Sequence, residues 1–166
     1  MFEVPVISSE NKTDFYNELN LCLEGLIGHE PDWLANTANA AALLYQLMPM
    51  INWAGFYFYK NGELVLGPFQ GKPACVHISM GRGVCGTAAS TGQIQVVDDV
   101  EQFPGHIACD AASQSEIVLP IFQNSRLIGV LDIDSPVKGR FDMEDARGLT
   151  GFIDMLNKYI LWPDFE

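Results

Sequence analysis

The sequence predicts an α+β fold: a central antiparallel sheet of about six strands with helices packed on one face. Three observations lead there. Apolar residues recur at helical spacing near both ends of the chain, and short runs rich in aromatic and β-branched residues lie between them. Most of those runs are joined by connections too short for a crossover helix, which makes neighbouring strands antiparallel. Strands grouped in this way, with helices before and after them, bury one sheet face under the helices.

Taken in order, residues 11–27 place Phe15, Leu19, Cys22, Leu23 and Leu26 on one helical stripe. A second helix opens at Pro31-Asp32 and aligns Trp33, Thr37, Ala40, Ala41, Leu44, Leu47 and Met48. Pro49, which has no N–H to give an interior turn, ends it. The period then changes. Trp53–Tyr59 and Glu63–Gly67 read as strands joined by Asn61-Gly62, a pair that tolerates the positive φ of a tight hairpin. A further strand is expected over Cys75–Ser79, then a short helix over Val84–Ser90 and a strand over Ile94–Val97. Glu116–Phe122 and Leu127–Ile133 form the last two strands, turned at 123–126. Asp142 caps a final helix whose core stripe is Leu149, Phe152, Ile153, Leu156 and Ile160. With no internal repeat, linker or low-complexity segment, residues 1–166 read as a single domain.

Composition narrows the functional classes. Apolar residues are 48% and charged residues 18% of 166, enough to build a core without a metal or disulfide staple. No apolar run approaches the roughly 20 residues of a membrane span. The N-terminus lacks the basic start and apolar stretch of a signal peptide, so a cytoplasmic location is expected. A net charge of −12 repels phosphate backbones and anionic lipid, which argues against nucleic-acid or membrane partners.

Candidate chemistry lies in the cysteines and in three acids. Cys22 falls on a helical core stripe and reads as packing. Cys109 sits in the irregular stretch 98–115, where it is either a nucleophile or a packed thiol. Cys85 is close to the start of the short helix and to Arg82, both of which favour a thiolate, unless it merely packs that helix on the sheet. Cys75, at a strand start, is expected to be exposed and mobile. A zinc site from Cys75, His77, His106 and Cys109 matches no common ligand spacing. Gly81-Arg-Gly-Val-Cys-Gly lacks the Gly-Lys-Ser/Thr ending of a phosphate loop. Asp132 and Asp134, two apart on a strand, point to one face, and the preceding turn brings Glu116 beside them. Three carboxyls gathered there raise one another's pKa, as a general acid at neutral pH requires; the alternative is an exposed strand end with solvated acids.

Several segments together resemble the GAF-domain free methionine-(R)-sulfoxide reductases. They are Ile51-Asn-Trp-Ala-Gly-Phe-Tyr57, Leu66-Gly-Pro-Phe-Gln-Gly-Lys-Pro-Ala-Cys75, Gly81-Arg-Gly-Val-Cys-Gly-Thr-Ala88 and Val97-Asp-Asp-Val100. Phe103-Pro-Gly-His-Ile-Ala-Cys-Asp110, Ser115-Glu-Ile-Val-Leu-Pro-Ile121 and Gly129-Val-Leu-Asp-Ile-Asp-Ser135 extend the match over nearly the whole chain. The resemblance implies a thiol-dependent reduction of free methionine-(R)-sulfoxide. It makes Cys109 the attacking cysteine, Cys75 the one that resolves its sulfenic acid as a disulfide, and Cys85 an auxiliary third. It also implies that Glu116, Asp132 and Asp134 hold the substrate and its sulfoxide oxygen, and that Trp53 and Tyr57 wall the pocket. No bound cofactor is implied; thioredoxin, with NADPH behind it, is the external reductant, and the assembly is a homodimer. A GAF module sensing a small ligand or peroxide through the same cysteines is the competing reading. Against a ligand sensor, the chain is expected to end directly after the last helix with no effector domain to receive a signal; against a peroxide sensor, the acidic, aromatic pocket would have no purpose.

Overall fold

The computed structural model describes residues 6–9, 11–105 and 110–165. Its helices are α1 (Lys12–Ile27), α2 (Trp33–Leu47), α3 (Gly83–Thr91) and α4 (Met143–Tyr159). The strands are β1 (Trp53–Lys60), β2 (Glu63–Gly71), β3 (His77–Ser79), β4 (Gln95–Val97), β5 (Ser115–Gln123) and β6 (Arg126–Ser135). Side-chain caps start three of the helices: Asn11 accepts from the Asp14 N–H, Asp32 from Ala35, and Asp142 from Asp145, which answers it in a capping box. No helix among the described residues is long and apolar enough to cross a membrane.

The six strands form one sheet in the order β3-β2-β1-β6-β5-β4, and every neighbouring pair is antiparallel. Both expected turns are present. Asn61 and Gly62 have φ of 50° and 88°, and Asn124 and Ser125 have 51° and 65°, so each two-residue turn sets the register of its hairpin as far as a bulge, at Gly55/Tyr57 in the first and Ile121/Phe122 in the second, which shifts the pairing by one residue. Because side chains alternate across a strand, one face takes Ala54, Phe56, Phe58, Ile117, Leu119, Ile121, Leu131 and Ile133 into a core with α1, α2 and α4. The other face takes Trp53, Tyr57, Val118 and Val130, which pack with α3.

The helices on one face are therefore α1, α2 and α4, whereas α3 lies on the opposite face. Topology explains this. The chain must pass from β3 at one sheet edge to β4 at the other, and the first face is already filled. Two boundaries also differ from expectation. β2 runs on to Gly71, which pairs with Trp53, and β3 begins at His77, leaving Cys75 in the connection.

Helices α1 and α4 meet at Tyr16, whose hydroxyl donates to the buried Asp145 at 2.8 Å. Arg140 and Lys12 pair with the same carboxylate. The Tyr16 ring lies on Gly148, where an added Cβ would stand 2.1 Å from Tyr16 Cγ. Gly148→Ala improves helix propensity by about 1 kcal/mol on an isolated helix. Here overpacking wins, and we expect a net loss of about 1–3 kcal/mol. Thermal melting checks the sign; a raised melting temperature would mean that the two helices do not pack at this point.

Candidate active site

Register builds the site. Glu116 at the start of β5 faces Asp134 near the end of β6, and Asp134 in turn faces Trp53 on β1. Asp132 lies between Val118 and Gly55. Glu116, Asp132, Asp134, Trp53 and Tyr57 thus share the sheet face opposite α1, α2 and α4. They line a cleft with Cys85, Arg82, Gly83 and Val84 from the start of α3, and with Lys72, Pro73 and Ala74 from the β2–β3 connection. Asp110 and Ser113 close its other side. The cleft holds about 560 Å³ of space, its open mouth included.

Aromatic rings form one wall. Trp53 stacks between Tyr57, at 5.9 Å between ring centres, and Phe69, at 5.3 Å. The Trp53 indole N–H donates to the Lys72 carbonyl at 3.1 Å, and the Tyr57 hydroxyl donates to the Cys75 carbonyl at 3.1 Å. Both bonds tie the β2–β3 connection to the sheet. Cys75 is half-buried, anchored through its carbonyl and disulfide-bonded, not exposed and mobile as its position suggested. Cys22 and Cys85 are free thiols.

The acids are the electrostatic centre. Glu116 and Asp132 are each 6% exposed. Loss of hydration is the first cause of the raised pKa of all three carboxyls, and repulsion from Asp132 adds to it at Glu116 and Asp134. Asp132 is raised to about 6 and is held lowest because Cys85 and Glu116 hydrogen-bond to it. Glu116 and Asp134 are raised well above the usual carboxylate range. Near neutral pH the site therefore holds an ionised Asp132 beside protonated Glu116, the pairing a proton donor needs.

Of the two readings of Cys85, packing of α3 on the sheet holds and the thiolate does not. Its Sγ lies 3.9 Å from Glu116 Oε1, and the residue is 4% exposed. Burial pushes its thiol pKa well up, and Asp132 and Glu116 add to the effect. The helix start and Arg82 do not make it a thiolate, because Arg82 is exposed while the acids are buried beside the sulfur. Cys109 and His106 lie outside the described residues. The neighbour of Cys109 is placed, however: Asp110 accepts from Asn52 Nδ2 at 3.2 Å and from Lys72 Nζ at 3.2 Å. Asn52 also donates to Ser113 at 3.0 Å. Asn52, Lys72, Asp110 and Ser113 are site residues that the sequence pattern did not single out. Only their closeness to Trp53, Cys75 and Cys109 in the chain hinted at them. His77, considered as a zinc ligand, is exposed and pairs with Glu63 at 2.8 Å.

Comparison with known proteins identifies the family. The GAF domain family matches residues 39–154. The chain is 58% identical over 160 residues to Protein YtsP of Bacillus subtilis, covering 95% of this chain and 98% of that protein. It is 54% identical over 156 residues to the free methionine-R-sulfoxide reductase of Escherichia coli, covering 94% of each. The crystal structure of free methionine-R-sulfoxide reductase from Neisseria meningitidis in complex with its substrate superposes with a TM-score of 0.91. That structure is 43% identical and covers 96% of this chain and 95% of its own. Together, the matched residues and the shared fold show that this chain belongs to the GAF-domain family of free methionine-(R)-sulfoxide reductases.

Proposed function

We propose that the chain reduces free L-methionine-(R)-sulfoxide to methionine with its own cysteine thiols. The observation that carries this reading is the cluster of buried Glu116 and Asp132 with half-buried Asp134 beneath Trp53, facing the segment that bears Cys75. A sulfoxide oxygen leaves only when protonated, and the protonated Glu116 is the buried donor. The half-buried Asp134 and the ionised Asp132 suit the substrate's ammonium. Arg82 and the positive end of α3 suit its carboxylate. Trp53 offers an apolar wall to the S-methyl group. A methionine sulfoxide inside a peptide lacks both terminal charges, so this cleft selects the free amino acid.

Cys109, one residue before the anchored Asp110, is the attacking thiol in this reading. Its thiolate attacks the sulfoxide sulfur while Glu116 protonates the oxygen. The S–S bond formed by the attack and the S–O bond of the substrate then both break as the hydroxyl passes from the substrate sulfur to Cys109, so that methionine departs and Cys109 is left as a sulfenic acid. The Cys75 thiol then attacks that sulfur and expels water, leaving a Cys75–Cys109 disulfide. Support comes from Cys75 being the bonded cysteine while Cys22 and Cys85 stay free. A dithiol partner of the thioredoxin type, reduced by NADPH, restores the thiols.

Peptide mapping after a single turnover tests the cysteine roles. Reduced protein mixed with one equivalent of free methionine-(R)-sulfoxide, without reductant, is expected to release one methionine and form one Cys75–Cys109 disulfide. Cys22 and Cys85 remain open to alkylation. A Cys85–Cys109 disulfide as first product would overturn the role given to Cys75.

A further inference from the structure

The steps above leave Cys85 idle on the floor of the cleft, although it is a free thiol set between two buried acids. We propose that Cys85, Glu116 and Asp132 form a site for a thiophilic divalent cation, zinc or cadmium, which binds in place of the substrate. One donor atom from each residue lies within 4.8 Å of the other two, and all three residues are buried. Zinc bonds of about 2.3 Å to sulfur and 2.0–2.2 Å to oxygen put donors of a tetrahedral site about 3.3–3.6 Å apart. The 3.9 Å between Cys85 Sγ and Glu116 Oε1 is therefore within a few tenths of an ångström of closure.

A second observation points to a ligand. Asp132 Oδ1 is buried and has no hydrogen-bond partner among the described residues, although Asp132 lines the cleft. The cations that line the same cleft, Lys72 and Arg82, are both exposed, so among the described residues the buried acids lack a buried countercharge. A divalent ion supplies that charge, and thiolate with carboxylate is a donor set that zinc accepts. Asp134 stands on the same sheet face, and water can complete the coordination. On binding, the cation displaces the thiol proton of Cys85 and the carboxyl proton of Glu116, both released to solvent, with no change in oxidation state. This set differs from Cys75, His77, His106 and Cys109, because Cys75 is already bonded and His77 points to Glu63.

Cadmium titration tests the site, since cadmium thiolates absorb in the ultraviolet. Cys22→Ala protein in its disulfide form leaves Cys85 as the thiol expected to respond. We expect one equivalent of cadmium to raise the charge-transfer band. Cys85→Ser in the same background removes the band, and Glu116→Gln or Asp132→Asn weakens binding by about 100-fold or more, beyond the usual effect of an outer-shell partner. Thermal melts of each variant confirm that it is folded. A band that persists in Cys85→Ser, or affinity unchanged in both acid variants, overturns the site. The exclusion of substrate rests on the proposed reductase reading. Added methionine sulfoxide is expected to displace cadmium, and a band that survives saturating sulfoxide overturns that exclusion while leaving the three ligands in place.

Discussion

Replacing Cys109 with serine is expected to stop sulfoxide reduction, by about 10⁴-fold or more, the scale of removing a catalytic nucleophile. A serine hydroxyl is a far weaker nucleophile at neutral pH, and it cannot carry the sulfenic acid and disulfide that complete the cycle. With both proteins reduced, so that no disulfide is lost, stability is expected to stay within about 0.5 kcal/mol of the parent, because the change replaces one small side chain by another of nearly equal size. The activity is read from NADPH oxidation with thioredoxin and its reductase, the stability from a thermal melt. Turnover within about tenfold of the parent would assign the attack to another thiol. Cys75→Ser gives a different result. It is expected to release one methionine per chain and then stall with a sulfenic acid that a dimedone probe captures.

Asp132→Asn is expected to make the protein more stable and less active at once. The folded Asp132 has its pKa raised to about 6 from the usual 3.8, chiefly by burial. Below both values the folded and unfolded chains are protonated alike and no penalty exists. Between them the unfolded chain gives up the proton that the folded chain keeps, so stability falls as pH rises through this window. Above about 6 the penalty is complete and constant. Asparagine removes it, and we expect a gain of about 1–3 kcal/mol at pH 7. That corresponds to roughly 2–10 °C in melting temperature. Near pH 3.5 the gain is expected to vanish. Activity falls by about 10²-fold or more, because the ion that orders the Glu116 proton and meets the substrate is lost. An equal gain at both pH values would mean that burial of the charge is not the cause.

The sheet and the shared face of Asp132 and Asp134 were legible in the sequence because both follow from local rules. The place of Glu116 was not fully so: the Asn124-Ser125 turn alone would set it opposite Ile133, and the bulge at Ile121/Phe122 shifts the register by one residue and brings it opposite Asp134. The spacing of Trp53 and Tyr57 places both on the same strand face. The side on which α3 packs was not legible, since it depends on the crossing from one sheet edge to the other and not on any pattern within residues 83–91. The choice between a thiolate and a packed thiol at Cys85 was not legible for a related reason. Its position in the helix argued for a thiolate, yet its neighbours Glu116 and Asp132 come from distant strands and reverse the sign. Asn52, Lys72 and Asp110 are isolated polar residues in connections, where no periodicity marks a side chain that will meet another.

The measurement that bears most directly on the central claim is substrate selection by the wild-type enzyme. The reduced protein, thioredoxin, thioredoxin reductase and NADPH would be given in turn the R and S epimers of free methionine sulfoxide, and N-acetylmethionine-(R)-sulfoxide methyl ester. The account predicts NADPH oxidation with the free R epimer alone: the blocked ester offers no ammonium to the acids, and the preference for R follows from the family to which the chain belongs. Equal turnover of the blocked ester, which carries neither terminal charge, would contradict it.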